Sequence, residues 1–174
     1  MQIDTVETRA LDRAQRDELL TLCRAAYEEE LEGYLENIGS GVHLLARVDG
    51  ALVSHAMFVE RWLQRTNGEL LRTAYVELVA TRPDAQRRGH AAVLMRRLAE
   101  EIRPFDIGAL SPTDERIYAR LGWETWRGRL LVRTGTSVVA SDDEGLMILR
   151  LPHTPADLEL DEPLSIEWRP GEVW

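Results

Sequence analysis

The segment from Tyr75 to Ile102 constrains the fold more than any other part of this 174-residue sequence. An apolar strand pattern, YVELVA, leads through Arg82-Pro83 into a basic loop that contains Gly89, and an amphipathic helix follows at once. Backbone amides at the start of a helix have no intrahelical acceptor and attract anions. The segment therefore predicts an anion site on a strand–loop–helix unit. The alternative is an ordinary helix start with solvated arginines.

The rest of the pattern predicts an α/β protein. Asp49-Gly50 and Asn67-Gly68 are pairs typical of tight hairpin turns between strands. Asp12 opens the first predicted helix, and Ser111-Pro112 resembles a helix cap followed by proline. The predicted order is β-α-β-β-β-α-β-α-β, a mixed sheet with helices, in a single domain over residues 1–174. The apolar positions used for the three predicted helices are Leu20, Cys23, Tyr27 and Leu31; Ala91, Leu94, Met95, Leu98 and Ile102; and Ile117, Tyr118 and Leu121.

Composition limits the classes of function. The formal net charge of −9 argues against a nucleic-acid partner and suits a cationic small molecule, although acidity also serves solubility. One cysteine, Cys23, excludes an internal disulfide, and the four histidines lack metal-ligand spacing, so no metal is expected. No apolar run approaches the ~20 residues that span a bilayer, and no signal peptide is evident, so a cytoplasmic location is expected.

Two motifs resemble landmarks of the GCN5-related N-acetyltransferase superfamily. Gln86, Gly89 and Ala91 match its pyrophosphate motif, Gln/Arg-x-x-Gly-x-Gly/Ala, and the run from Tyr118 to Trp123 is similar to its Tyr-x-x-x-Gly-Phe/Trp helix end. The resemblance implies a mostly antiparallel, twisted mixed sheet with helices on both faces and a splayed central strand pair. The acetyl-CoA core would cover about residues 70–130, and a homodimer is a family-level expectation.

The same resemblance implies that acetyl-CoA is the co-substrate and indicates which residues bind it. Backbone groups of the strand would pair with the pantetheine arm, and the amides of the loop would hold the pyrophosphate. The positions matched in this way are Leu78, Val79, Ala80, Gln86, Arg87, Arg88, Gly89, His90, Ala91 and Ala92.

Two side chains are candidates for proton transfer. An ammonium must lose a proton before it attacks a thioester, and Glu77, in the middle of its strand, is the candidate base. Its alternative is an outward-facing strand residue, since Tyr75 and Glu77 share one face. Tyr118 matches the tyrosine that often protonates the leaving thiolate in the superfamily, and it could equally be a packing residue.

The end of the sequence, WRPGEVW, resembles the terminal Asp-Trp-Arg-x-Gly-Asp-Val-Trp of aminoglycoside 2′-N-acetyltransferases. Carboxylates would attract and position a polycationic amine. The resemblance implies substrate contacts for Glu172 and for the carboxylate of Trp174, within an acidic tail at 153–174. Asp142 and Asp143 are further candidate ligands, and Glu30 is another in the acidic run 28–32; for each acidic run a solvated surface is the alternative.

The leading hypothesis is therefore acetylation of the 2′-amine of an aminoglycoside by direct attack on acetyl-CoA, with Glu77 acting through water. A second hypothesis is acetylation of another cellular amine, such as a polyamine. A third is a non-catalytic module that binds acetyl-CoA.

Overall fold

The computed structural model describes residues 1–28, 32–142, 145–171 and 173–174. The predicted ligands Glu30, Asp143 and Glu172 lie outside the described residues. Two compact units share the chain. The first comprises Met1–Val59 and Val76–Glu100, and the second comprises Glu60–Tyr75 and Glu101–Trp174. Whether they form the single domain expected from the sequence stays a prediction.

The first unit contains three antiparallel strands in the order β1-β2-β3, together with the longest helices. At the turn between β2 and β3, Asp49 and Gly50 have φ values of 50° and 82°, so the predicted hairpin turn is confirmed. The elements are β1 (Gln2–Glu7), α1 (Arg13–Tyr27), α2 (Glu32–Ile38), β2 (Val42–Val48), the part of β3 (Ala51–Arg65) up to Val59, the part of β4 (Leu70–Thr81) from Val76, and α3 (His90–Glu101).

Helix α1 begins with the predicted cap. The Asp12 carboxylate accepts a hydrogen bond from the Gln15 amide at 2.8 Å, and the Gln15 side chain accepts one from the Asp12 amide at 3.1 Å. The buried face is Leu19, Leu22 and Cys23, so the face predicted through Leu20 and Tyr27 was rotated from the true one. Burial raises the pKa of the Cys23 thiol to about 12, consistent with a core residue.

The second unit contains the sheet order β6-β9-β5-β4-β3-β10-β7-β8. Among the described residues, the β4–β5 and β10–β7 pairs are parallel and the other paired strands are antiparallel, so the expected mixed, mostly antiparallel sheet is confirmed. The elements not yet given are β5 (Ile107–Leu110), α4 (Glu115–Ala119), β6 (Glu124–Trp126), β7 (Leu130–Thr134), β8 (Ser137–Ala140), β9 (Leu146–Arg150) and β10 (Leu164–Glu167).

The second unit departs from the sequence prediction at two points. Helix α4 is capped by Asp114, whose carboxylate accepts from the Arg116 amide at 3.0 Å, and not by Ser111. The acidic tail at 153–174 contains a strand that the sequence pattern did not predict, because Leu164–Ile166 pairs antiparallel with β3 and Leu164–Glu167 pairs parallel with β7. Strand β4 pairs with β5 over Thr73–Tyr75 and then continues to Thr81.

At Gly128 the backbone lies close to the backbone of Glu162, and a substitution there tests this packing. A Cβ added there would overlap the Glu162 carbonyl oxygen, which is backbone and cannot rotate away. Gly128→Ala is expected to lower the free energy of unfolding by about 2–4 kcal/mol, the range for overpacking and strain. Urea denaturation provides the measurement.

Gly33→Ala is the matched control. A Cβ at Gly33 meets nothing within 4 Å, and the residue lies in α2. Since alanine favours helix by about 1 kcal/mol over glycine, this variant is expected to be neutral or stabilising. Equal destabilisation by both changes would contradict the packing described.

Candidate active site

Glu77 lies inside the first unit with its carboxylate held in place. The residue is only 7% exposed, and the Tyr34 hydroxyl of α2 donates a hydrogen bond to Glu77 Oε2 at 3.1 Å. A carboxylate buried to this degree requires hydrogen-bond donors, and Tyr34 supplies one. The alternative of an outward-facing, solvated strand residue therefore does not describe Glu77.

The backbone of β4 changes direction immediately after Glu77. Leu78 has a φ of 51°, in the left-handed region that a leucine rarely adopts. Three successive carbonyls that follow Glu77 accept hydrogen bonds from side chains of the first unit. The Leu78 oxygen accepts from His55 Nδ1 at 2.9 Å, the Val79 oxygen from Tyr27 Oη at 3.0 Å, and the Ala80 oxygen from Ser54 Oγ at 2.9 Å.

His55 belongs to a buried chain of hydrogen bonds. His55 Nε2 lies 3.0 Å from His43 Nδ1, and His43 Nε2 lies 3.0 Å from the Thr8 hydroxyl. Burial lowers the pKa of His43 to about 4, and burial together with the neighbouring His43 lowers the pKa of His55 to about 3. Both rings are consequently neutral at pH 7.

The loop after β4 has the geometry that an anion requires. Pro83–Ala85 form a 3₁₀ turn, and Gln86 Nε2 donates to the Thr81 carbonyl at 3.2 Å. Arg87 and Gly89 both have left-handed backbones, with φ values of 61° and 82°. A turn of this kind directs successive amides towards one side.

Helix α3 starts directly after this loop, at His90. Its first intrahelical bond runs from the Val93 amide to the Gly89 carbonyl at 3.1 Å, so the amides of residues 90–92 precede the helical ladder. A Cβ added at Gly89 would meet nothing within 4 Å, which shows open space above the loop. Unpaired helix amides, two arginines and open space fit a diphosphate group.

Tyr118 lies in the second unit, on α4, and is buried against Trp123. The two rings meet edge to face, with centroids 6.3 Å apart and an interplanar angle of 72°. Burial raises the pKa of the Tyr118 phenol, so the hydroxyl is protonated at neutral pH. Tyr118 therefore packs in the core of the second unit, and its phenol is protonated.

The tail of the second unit is fixed by a buried arginine that the sequence did not single out. Arg61, 5% exposed, donates from Nε to Glu167 Oε1 and from Nη2 to the Glu167 carbonyl, both at 2.6 Å. Arg61 Nη1 also donates to the Val173 carbonyl at 3.2 Å. Trp174 is buried beyond it, and its indole N–H has no acceptor among the described residues.

The structure divides the predicted site residues between the units. The first unit holds Glu77, the strand positions 78–80 and the loop positions 86–92, and the second holds Tyr118, Asp142 and Trp174. Asp142 is exposed. The side chains that sequence reasoning missed are Tyr27, Tyr34, His43, Ser54, His55 and Arg61. In the sequence, the position of His55 inside the apolar run of β3 was the one indication of these side chains.

The buried histidines predict a specific pH dependence of stability. In the unfolded chain each protonates near 6.5, whereas in the folded protein protonation needs a pH near 4 or 3. Between these values the unfolded state binds more protons, so the free energy of unfolding falls as pH drops below 6.5. Each histidine contributes a slope of up to about 1.4 kcal/mol per pH unit.

Urea denaturation between about pH 4.5 and 7 measures this slope. His43→Gln removes one titrating group and is expected to flatten the curve by that histidine's share. A variant curve parallel to that of the unmodified protein would mean that His43 is not held neutral by the fold.

Comparison with known proteins places these features in a family. A family model described as an acetyltransferase (GNAT) domain matches residues 7–126. An aminoglycoside 2′-N-acetyltransferase from Mycolicibacterium fortuitum is 34% identical over 177 residues, covering 97% of this chain and 90% of that protein. The described helices include none long and apolar enough to cross a membrane.

Solved structures share the fold. The GNAT family N-acetyltransferase YhbS from Escherichia coli, solved in complex with CoA, has a TM-score of 0.64 at 17% identity and covers 95% of this chain and 88% of its own. Eis1 from Mycobacterium abscessus has a TM-score of 0.60 at 24% identity, covering 71% of this chain, which spans 31% of Eis1. The strand–loop–helix geometry and these matches agree: the chain belongs to the GNAT family of N-acetyltransferases.

Proposed function

We propose that this protein transfers an acetyl group from acetyl-CoA to the 2′-amine of an aminoglycoside. The observation that carries the proposal is the alignment with the M. fortuitum enzyme, which extends over 97% of this chain and 90% of that protein. The predicted base, Glu77, is also a buried carboxylate with a fixed orientation.

The residues for cofactor binding are those of the first unit. The amides of residues 87–92 would hold the diphosphate, with Arg87 and Arg88 adding positive charge, and backbone groups of Leu78, Val79 and Ala80 would pair with the pantetheine arm. When bound, acetyl-CoA supplies a thioester whose carbonyl a neutral amine can attack. Holding both reactants converts a bimolecular encounter into a step within one complex.

Glu77 is the proposed general base. At neutral pH the amine arrives as an ammonium, and the carboxylate accepts its proton directly or through one water. The hydrogen bond from Tyr34 occupies Oε2 and fixes the rotamer of the side chain, so Oε1 has a defined direction. A fixed acceptor needs no reorganisation at the moment of proton transfer.

Tyr118 is the proposed proton donor to the departing sulfur. Its raised pKa keeps the phenol protonated, as a donor requires, and its edge-to-face contact with Trp123 limits the motion of the ring. A buried phenol with no charged form at working pH can donate without first capturing a proton.

Acceptor recognition is assigned to the acidic tail and to the loop at 142–143. Asp142 is exposed, and the carboxylates of Asp143 and Glu172 would add negative charge for a polycationic amine. Trp174, held in the second unit next to the Val173 carbonyl that Arg61 binds, would complete the group.

An amine panel tests the proposed substrate. Thiol release from acetyl-CoA is expected with tobramycin, which carries a 2′-amine, and not with kanamycin A, which carries a hydroxyl there. Equal rates with both would contradict the position of attack. Faster turnover of a polyamine would favour the alternative acceptor, and CoA binding without any turnover would favour the non-catalytic alternative.

Glu77→Gln tests the base independently of substrate identity. The amide keeps the size and the hydrogen bond to Tyr34 but cannot accept the proton, so kcat is expected to fall by about 10²–10⁴-fold. The dissociation constant for CoA, measured by calorimetry, is expected to stay unchanged. Glu7→Gln removes an exposed carboxylate at the end of β1, outside the proposed site, and is the charge-matched control. Unchanged kcat in Glu77→Gln would remove Glu77 from the mechanism.

A further inference from the structure

The paired histidines His43 and His55 form a feature that the proposed mechanism does not use. His55 is fully buried and His43 is 1% exposed, in a unit whose other buried positions are mostly apolar. A buried imidazole costs stability unless its nitrogens are hydrogen-bonded. All four ring nitrogens have partners here: Thr8, the other histidine, and the Leu78 carbonyl.

The Leu78 carbonyl determines which atom donates and which accepts in each of these hydrogen bonds. A carbonyl only accepts, so His55 Nδ1 carries the proton that it donates to Leu78. A neutral His55 then accepts at Nε2 from His43 Nδ1–H, and a neutral His43 accepts at Nε2 from the Thr8 hydroxyl. The lowered pKa values of both histidines keep this order at neutral pH.

The Leu78 carbonyl accepts the last of these hydrogen bonds, and Leu78 is the least regular residue of β4. Leu78, with its left-handed φ of 51°, stands between Glu77 and the strand positions 79–80. A left-handed leucine persists only where surrounding contacts hold it. His55 is the side chain that bonds its carbonyl, from the neighbouring strand β3.

We propose that His55, supported by His43, is a positioning residue that fixes the Leu78 peptide and thereby the backbone that receives the pantetheine arm. Neither ring touches substrate. The role is transmitted through one carbonyl, whose rotation would move the Leu78 carbonyl and the Val79 amide of the strand segment proposed to pair with the pantetheine arm. The inference rests on the proposed use of acetyl-CoA.

Two amide substitutions separate this role from general support of the core. In His55→Asn the amide nitrogen takes the place of Nδ1, so it can still donate to Leu78 while the bond to His43 is lost. In His55→Gln the amide reaches the place of Nε2, so the bond to His43 is kept and the bond to Leu78 is lost. Each variant loses one hydrogen bond, and both stay polar and uncharged.

The experiment measures the dissociation constant for CoA by calorimetry, amide hydrogen exchange at residues 78–80, and the thermal midpoint. His55→Asn is expected to bind CoA within about twofold of the unmodified protein, and His55→Gln about tenfold more weakly with faster exchange at 78–80, a difference of one hydrogen bond. The two thermal midpoints are expected to fall by similar amounts.

Equal CoA affinity in the two variants would overturn the proposal, whether both match the unmodified protein or both weaken in step with stability. If His55→Gln does not fold, the same contrast is made at His43, where asparagine keeps the donor to His55 and glutamine does not. A threefold weaker CoA affinity in His43→Gln than in His43→Asn is expected there, and no difference would overturn the proposal.

CoA binding needs no acceptor amine, so the outcome is independent of the proposed substrate. Protein that binds CoA but leaves aminoglycosides unmodified would contradict the proposed acceptor, and the comparison of His55 variants would still decide the role of the histidines.

Discussion

The left-handed backbone at Leu78 is the constraint on which the first unit depends. A regular strand would satisfy its carbonyls along the ladder, but a residue with φ of 51° turns its peptide out of that pattern. Side chains donate to the carbonyls that follow: His55 to Leu78, Tyr27 to Val79 and Ser54 to Ala80. Polar residues are present in this part of the core because the strand is irregular there.

In the second unit, the polar groups that need partners inside the core are arginine side chains. Arg61 and Arg65 are both nearly buried on β3, and a buried guanidinium needs acceptors for its donors. Arg61 finds them in Glu167 and the Val173 carbonyl, while Arg65 Nε donates to Glu162 at 2.9 Å. Both arginines therefore bind the end of the sequence. Charge and strand pairing together hold the described part of the tail.

The sequence predicted what local chemistry determines. Gly89 and the Asp49-Gly50 turn follow from backbone conformations that few residues adopt, and the Asp12 cap follows from a side chain bonding its own helix. Those features need no distant partner. The predictions that were wrong concern features that do depend on distant residues. Strand β10 forms because it pairs with β3 and β7, and α1 buries Leu19 and Leu22 because of what it packs against.

The candidate site shows the same division. Glu77 could be selected from its place in the strand, but its partner Tyr34 lies 43 positions away, on a helix that the pattern did not predict. His55 looked like one of four scattered histidines, because its bonds to His43 and Leu78 join positions on three strands. Hydrogen bonds between distant side chains leave no periodicity in a sequence, so only the fold reveals them.

The same contrast between local and distant interactions separates the cofactor loop from the site for the acceptor amine. An anion held by backbone amides requires a particular loop conformation, and that conformation leaves glycine and helix-start patterns that are legible in the sequence. A polycationic amine is instead recognised by carboxylates, which many surface positions can supply with little demand on the backbone. Asp142 is one such exposed carboxylate. The choice of acceptor therefore depends on how the side-chain charges are arranged, and amines that differ only in the position of one ammonium group test that arrangement directly.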